Sequence, residues 1–278
     1  MNEMKTYKLY VGGAFVRSES GRVTSVTSVT SDDGEVLARV ATASRKDLRD
    51  AVVAARAAQP AWASATPYLR GQILYRVAEM LDGRRTSAAD ELVRSGWSKG
   101  DAAVEVDAAI DTWVWWAGWA DKLTQVLGSV NPVAGPFLNV STPEPVGVVG
   151  VVAADRPLAD LAGVLAPVLC GGNTAVVLAS AAHPLAALSF AEVLATSDVP
   201  GGVANVLWGD VGELAPWLAD HADVDAIDVS GAPDGLRCDL VERSAGNLKR
   251  CAATSGLRRP QTAGEFLDLK TVWHPARV

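Results

Sequence analysis

Val146-Gly147-Val148-Val149-Gly150-Val151-Val152-Ala153-Ala154 is a long apolar run that carries no charge. The β-branched pairs Val148-Val149 and Val151-Val152 suit a strand buried on both faces, as in a parallel sheet covered by helices on each side. The run is too short for a membrane span, which needs about 20 residues. Beyond it the chain alternates. Strands are predicted over Val146–Ala153, Thr174–Leu178, Ala204–Leu207 and Asp225–Val229, and helices over about Leu158–Leu169, Pro184–Thr196, Gly212–Asp220 and Pro233–Arg243. This β/α alternation predicts an α/β fold with a doubly wound, Rossmann-like parallel sheet.

Upstream of the run the period differs. An extended arm is expected over about residues 131–145, broken by Pro143 and Pro145. Before it lies a helical layer. Ser44 is a helix N-cap for a pattern with apolar residues at Leu48, Ala51, Val52 and Ala55. Pro67 opens a second helix running to Gly83. A shorter one stops at Gly96, and a single long helix is expected from about Asp101 to Val126. That helix carries Trp113, Trp115, Trp116 and Trp119, read as a core stripe, with an aromatic interface as the functional alternative. Short strands come first: Lys8–Val11, a Gly12-Gly13 turn, Ala14–Val16, a turn at Asp32-Asp33-Gly34 and Val36–Ala41. The parts form one composite domain over residues 1–256, followed by a tail, 257–278, with one strand.

The chain has 278 residues, 49% of them hydrophobic, and a net charge of -7. That is ample for a core and argues against extended disorder. The acidic balance argues against nucleic acid as a partner. No membrane segment and no signal peptide are expected. Three cysteines, Cys170, Cys238 and Cys251, show neither disulfide nor zinc spacing. A reducing cytoplasm is the expected location.

Little chemistry is announced by motif. No glycines are spaced Gly-x-Gly, and neither a Walker A sequence nor a Gly-x-Ser-x-Gly elbow occurs. His183, His221 and His274 are scattered, so no metal site is expected. Asp220, Asp223, Asp225 and Asp228 read as a solvated acidic loop leading into a strand. Cys251 reads as a small buried hydrophobe more than as a nucleophile, because a thiolate needs a base or a positive surrounding.

Several segments together resemble the aldehyde dehydrogenase superfamily: Trp115-Trp116-Ala117-Gly118-Trp119-Ala120-Asp121-Lys122, Glu144-Pro145-Val146-Gly147-Val148-Val149-Gly150, Leu165-Ala166-Pro167 with Gly171-Gly172-Asn173-Thr174, Val199 to Val206, and Ser230-Gly231. Their order and spacing agree over roughly residues 8–256. The resemblance implies the cofactor-binding domain of that family, which oxidises aldehydes with NAD or NADP. In the family a cysteine thiolate attacks the aldehyde, an asparagine holds the oxyanion and a glutamate activates water.

The corresponding residues here differ. Ala153-Ala154-Asp155-Arg156-Pro157 lacks the asparagine, and an aspartate would repel an oxyanion. Leu178-Ala179-Ser180-Ala181-Ala182-His183-Pro184 lacks the lysine and glutamate that hold the adenosine ribose. The glutamate position falls at Thr254, which cannot serve as a general base at neutral pH. Ser255-Gly256-Leu257 replaces the glycine pair that follows. The family's cysteine lies in a second domain, beyond Val278. The residues from Ser244 to Arg250 and from Gly264 to Pro275 resemble the degenerate, truncated second module of two-module (family sixteen type) aldehyde dehydrogenases.

The resemblance therefore implies no catalytic residue, and a non-catalytic subunit that associates with a catalytic aldehyde dehydrogenase, with itself, or with both, through 131–145 and 264–274. The alternative is an NAD(P)-binding oxidoreductase with altered chemistry, in which Gly209, Ser230 and Gly231 line a remnant cofactor cleft.

Overall fold

The computed structural model describes residues 4–27, 36–254 and 258–276. The expected turn at Asp32-Asp33-Gly34 and the Ser255-Gly256-Leu257 segment lie outside them. The chain opens with β1 (Thr6–Tyr7), β2 (Leu9–Val11), β3 (Ala14–Val16), β4 (Val23–Thr27) and β5 (Val36–Ala41). Gly12 and Gly13 both hold positive φ, +62° and +85°, so the tight turn between β2 and β3 uses the conformation that glycine alone adopts without strain.

The helical layer follows as α1 (Arg45–Ser64), α2 (Pro67–Asp82), α3 (Arg85–Arg94), α4 (Lys99–Ala117) and α5 (Leu123–Leu127). Ser44 and Asp47 form a reciprocal capping box at the start of α1, and Thr66 caps α2 ahead of Pro67. The single helix expected from Asp101 to Val126 is two. Gly118 caps α4, the next turn tightens to a Trp119 N–H to Trp116 C=O bond of 3.0 Å, and Lys122 Nζ takes the freed Gly118 carbonyl at 2.5 Å. Trp113 and Trp116, three residues apart on one face, are fully buried, and Trp113 stacks on Phe190 at 5.7 Å. The tryptophans serve the core, with Trp115 and Trp119 packed at its margin.

Next come β6 (Ser129–Asn131), the arm strand β7 (Phe137–Pro145), β8 (Val148–Val152), α6 (Ala159–Cys170), β9 (Thr174–Leu178), α7 (Pro184–Ala195), β10 (Ala204–Leu207), α8 (Val211–Asp220), β11 (Ala226–Asp228), α9 (Asp234–Ala245), β12 (Arg250–Ala252), α10 (Pro260–Gly264) and β13 (Leu267–Pro275). Strands β12, β11, β8, β9 and β10 run parallel in that order. Every residue of β8, β9, β10 and β11 is buried, as strands covered on both faces require. The doubly wound sheet is as the alternation predicts. Its edge differs: the N-terminal hairpin is no separate piece, because β2 pairs antiparallel with β10 and carries β3, extending the sheet to seven strands.

Two buried asparagines knit the parts together. Asn205 Oδ1 accepts from Gly12 N at 2.9 Å while its amide donates to Ala175 and Gly202 carbonyls. Asn173 Oδ1 accepts from Gly147 N and its amide donates to the Phe266 carbonyl, both at 2.9 Å. Asn173 thus fixes the root of β13 to the root of β8. From that root β13 pairs with β7 along its whole length, from Leu267↔Pro145 to Pro275↔Phe137. β6 covers the other side of β7. The arm and the tail strand, expected as two docking segments, are one three-stranded sheet in which β7 is central and β13 holds an outer edge.

Candidate functional site

In an open α/β sheet the ligand crevice lies outside the carboxyl ends of the strands, where the winding reverses. Here that is the gap between β8, which leads through α6 toward β9, and β11, which returns on the other side. Loops Ala153–Pro157 and Val229–Pro233 border it.

The gap is closed at its base. Gly231 N donates to the Val152 carbonyl at 2.9 Å, and a Cβ at Gly231 would overlap the Ala153 carbonyl. Glycine is required there for backbone against backbone. Ser230 N donates to Asp228 Oδ1 at 2.9 Å. Gly209 sits at the end of β10, three strand positions from β11 and so about 14 Å away at ~4.8 Å per strand. It packs on Leu214 and on the Ala43 carbonyl. The structure brings Ser230 and Gly231 together and leaves Gly209 outside the group.

Asp228 overturns its reading as part of a solvated loop. It lies within β11 with no exposure. Its Oδ2 accepts from Thr254 N at 2.9 Å and from Thr254 Oγ1 at 2.7 Å. Thr254 itself is buried. The hydroxyl at the position of the family's glutamate is therefore a donor locked onto a buried carboxylate that ties β11 to the end of β12. The other three aspartates do not converge with it. Asp220 pairs with Arg243 at 2.6 Å, Asp225 with Arg56 at 2.5 Å, and Asp223 N bonds His221 Nδ1 at 3.2 Å. No group of three or more ligating side chains gathers among the described residues.

The N-terminus of α6 should offer unpaired N–H groups and a positive dipole end to a phosphate. It already holds an anion. Glu105, in the middle of α4 and fully buried, accepts from Leu158 N at 3.0 Å, from Ala159 N at 2.8 Å and from Arg156 Nε at 2.8 Å. At α8, Asp210 takes Gly212 N and Glu213 N. At α9 the N-cap is Pro233, which has no N–H, and the fully exposed Asp234 occupies the first turn. Asp155, where the family's asparagine would stand, is exposed. At the end of β9, Ala179, Ala181 and Ala182 present nothing longer than a methyl group to a ribose, and Ser180 is turned inward to accept from His183 N at 3.4 Å.

The cysteines are poorly suited to attack. Burial pushes the Cys170 thiol up to about 12, and its Sγ bonds the Trp116 carbonyl at 3.4 Å. Burial, and then the Asp228 carboxylate, raise Cys251. Lys249 cannot offset this. It precedes β12, and its ammonium donates to the carbonyls of His221 at 2.9 Å and Val224 at 2.6 Å. Glu105 and Asp228 are the two residues that decide the character of the site. Only Asp228 had a signal in the sequence, its place beside Ala226 and Ile227 in an apolar run.

The sequence profile of the aldehyde dehydrogenase family matches residues 15–274. Cytosolic 10-formyltetrahydrofolate dehydrogenase of Xenopus tropicalis is 32% identical over 272 residues, covering 95% of this chain and 30% of that protein. The protein of the same name from Mus musculus is 30% identical, covering 91% and 29%. Among solved structures, PnpE from Pseudomonas sp. WBC-3 in complex with nicotinamide adenine dinucleotide superposes with a TM-score of 0.81 at 31% identity, over 88% of this chain and 50% of that one. Aldehyde dehydrogenase from Bacillus cereus in its NAD+ complex gives 0.83 at 26% identity, over 89% and 50%. This chain thus spans less than a third of the curated relatives and half of the solved ones. Over nearly all of its own length, the chain belongs to the aldehyde dehydrogenase family.

Proposed function

We propose that this chain is a non-catalytic aldehyde dehydrogenase-like subunit that associates with a catalytic NAD(P)-dependent aldehyde dehydrogenase, in the cytoplasm that the names of its curated relatives indicate. One observation carries the reading: the places around the strand ends that a dinucleotide pyrophosphate would use are filled or faced by the protein's own carboxylates, Glu105, Asp210 and Asp234. A phosphate at the head of α6 would meet the buried Glu105 carboxylate, where Coulomb repulsion is poorly screened. These residues do not fit NAD or NADP. Thr254, donating to Asp228, has no free basicity with which to activate water.

The surface for association is the outer edge of β13. Leu269 and Trp273 are 61% and 57% exposed, and Phe137 rests edge-on against Trp273 at 5.8 Å. A long edge strand with apolar side chains is a template for strand addition. β7, paired on both sides, contributes stiffness and no free edge.

Two measurements test the two halves. Thermal melting with NAD or NADP should show no shift at millimolar cofactor. A shift matching about 2.7 kcal/mol, the effect of ligand at roughly 100 times its dissociation constant, refutes the loss of cofactor binding. Light scattering of the purified chain with a catalytic aldehyde dehydrogenase from the same cell should show a complex that Leu269→Lys weakens. No assembly, either alone or with that enzyme, refutes the subunit role.

A further inference from the structure

The chain carries a net charge of -7, yet four cations surround one groove. The groove lies on the β1-β5-β4 sheet, has a volume of about 620 Å³, and is floored by the cross-strand row Thr6, Arg39 and Ser25. Lys8, Arg17 and Arg22 line it further along, and among the described residues no carboxylate does. All four cations are exposed, and among the described residues none of their side chains makes an ion pair or hydrogen bond. Two described acids on adjoining segments are engaged elsewhere. Glu19 holds Lys46 at 3.5 Å, and Asp47 is taken by Ser18 Oγ, Glu19 N and Ser44 N.

Four unpaired cations around a concavity repel one another unless an anion joins them. Arginine forks match phosphate oxygens, and the hydroxyls of Thr6 and Ser25 add neutral donors. The volume is that of a small-molecule site. A polymer would extend over the acidic remainder of the surface. A compact ligand stays within one screening length, about 8 Å at physiological salt, of the cations alone. We propose that this groove binds a compact oligo-anion carrying at least two phosphate groups. The site is distinct from the strand ends and does not depend on the function proposed above.

The test is calorimetric titration of the whole chain with inorganic pyrophosphate at low salt. Saturable binding is expected, weaker for orthophosphate and weaker as salt rises. The double variants Lys8→Gln/Arg39→Gln and Arg17→Gln/Arg22→Gln should each lower affinity tenfold or more. Arg76→Gln, on α2, should leave it unchanged. The proposal is overturned if binding does not saturate, if orthophosphate binds equally well, if neither double variant weakens binding, or if an oligo-glutamate peptide binds more tightly than pyrophosphate. Pyrophosphate bound at the strand ends instead would be untouched by either double variant.

Discussion

Replacing Glu105 by alanine tests whether the anion at the head of α6 is the protein's own. The carboxylate is fully buried and accepts from two backbone N–H groups at 3.0 and 2.8 Å and from Arg156 at 2.8 Å. Arg156 is 48% exposed, so it can turn to water once its partner is gone. Leu158 N and Ala159 N, in buried residues, cannot. Each buried unsatisfied donor costs about 1–3 kcal/mol, and truncation of a buried charge partner costs about 3–5 kcal/mol in comparable cases. Glu105→Ala should therefore destabilise by about 3–5 kcal/mol. With a urea slope of about 2.5 kcal/mol/M, the unfolding midpoint should fall by about 1–2 M with the slope unchanged. Glu105→Gln keeps one acceptor oxygen and should lose roughly half as much. Urea unfolding followed by tryptophan fluorescence reads both variants, since Trp113 and Trp116 lie on the same helix. If Glu105→Ala moves the midpoint by less than about 0.3 M, the carboxylate is not the cap of α6 and the electrostatic case against a bound pyrophosphate loses its main support.

Three further outcomes are expected. Thr254→Glu, which restores the family's residue type, should not create activity. It should destabilise the fold by several kcal/mol near neutral pH, because it puts a second carboxylate beside buried Asp228, and it should recover as pH falls and one of the pair takes a proton. Iodoacetamide followed by mass spectrometry should label exposed Cys238 first. Cys251, its thiol raised by burial and Asp228, should react more slowly and gain rate as pH rises, and Cys170, pushed up to about 12, should stay unlabelled in the native state; labelling of Cys170 before unfolding would contradict its burial. Gly231→Ala should cost about 1–3 kcal/mol or more from overlap with the Ala153 carbonyl, read as a drop in melting temperature, whereas Gly235→Ala, with nothing within 4 Å, should be nearly neutral.

The sheet was legible because its strands are buried on both faces, so that hydrophobicity alone marks them. Val148–Val152 and Thr174–Leu178 need no partner to be recognised. Helix starts were legible where capping is local, at Ser44 with Asp47 and at Thr66 with Pro67. Long-range facts were not. The addition of β2 to β10 depends on a single residue pairing, Val206↔Tyr10, between segments far apart in the chain. The break at Gly118 hid inside a pattern that remains apolar on either side. Of the site, what is missing could be read by position: the family's residue types are absent at Asp155 and Thr254. What took their place could not. Glu105 lies on a helix that also carries Asp101, Asp107 and Asp111, where an acid ordinarily faces water. Only the approach of α6 makes it a buried cap.

Glu105 and Asp228 bear on stability and function at once. A dinucleotide site leaves N–H groups and strand ends unsatisfied until ligand arrives, and those unmet groups lower the stability of the empty protein. Here the donors at α6 meet Glu105, those at α8 meet Asp210, and Ser230 N and Thr254 meet Asp228. Those groups are met by the protein itself, while α9 starts without a side-chain cap. A protein that binds its ligand there should melt higher when loaded; this one should melt at the same temperature with and without NAD, and its melting temperature should instead follow the anion concentration that reaches Lys8, Arg17, Arg22 and Arg39. The Lys8→Gln/Arg39→Gln variant separates the two causes. If pyrophosphate still raises its melting temperature as in the unaltered chain, the anion is acting at the strand ends, and the carboxylates there do not exclude it.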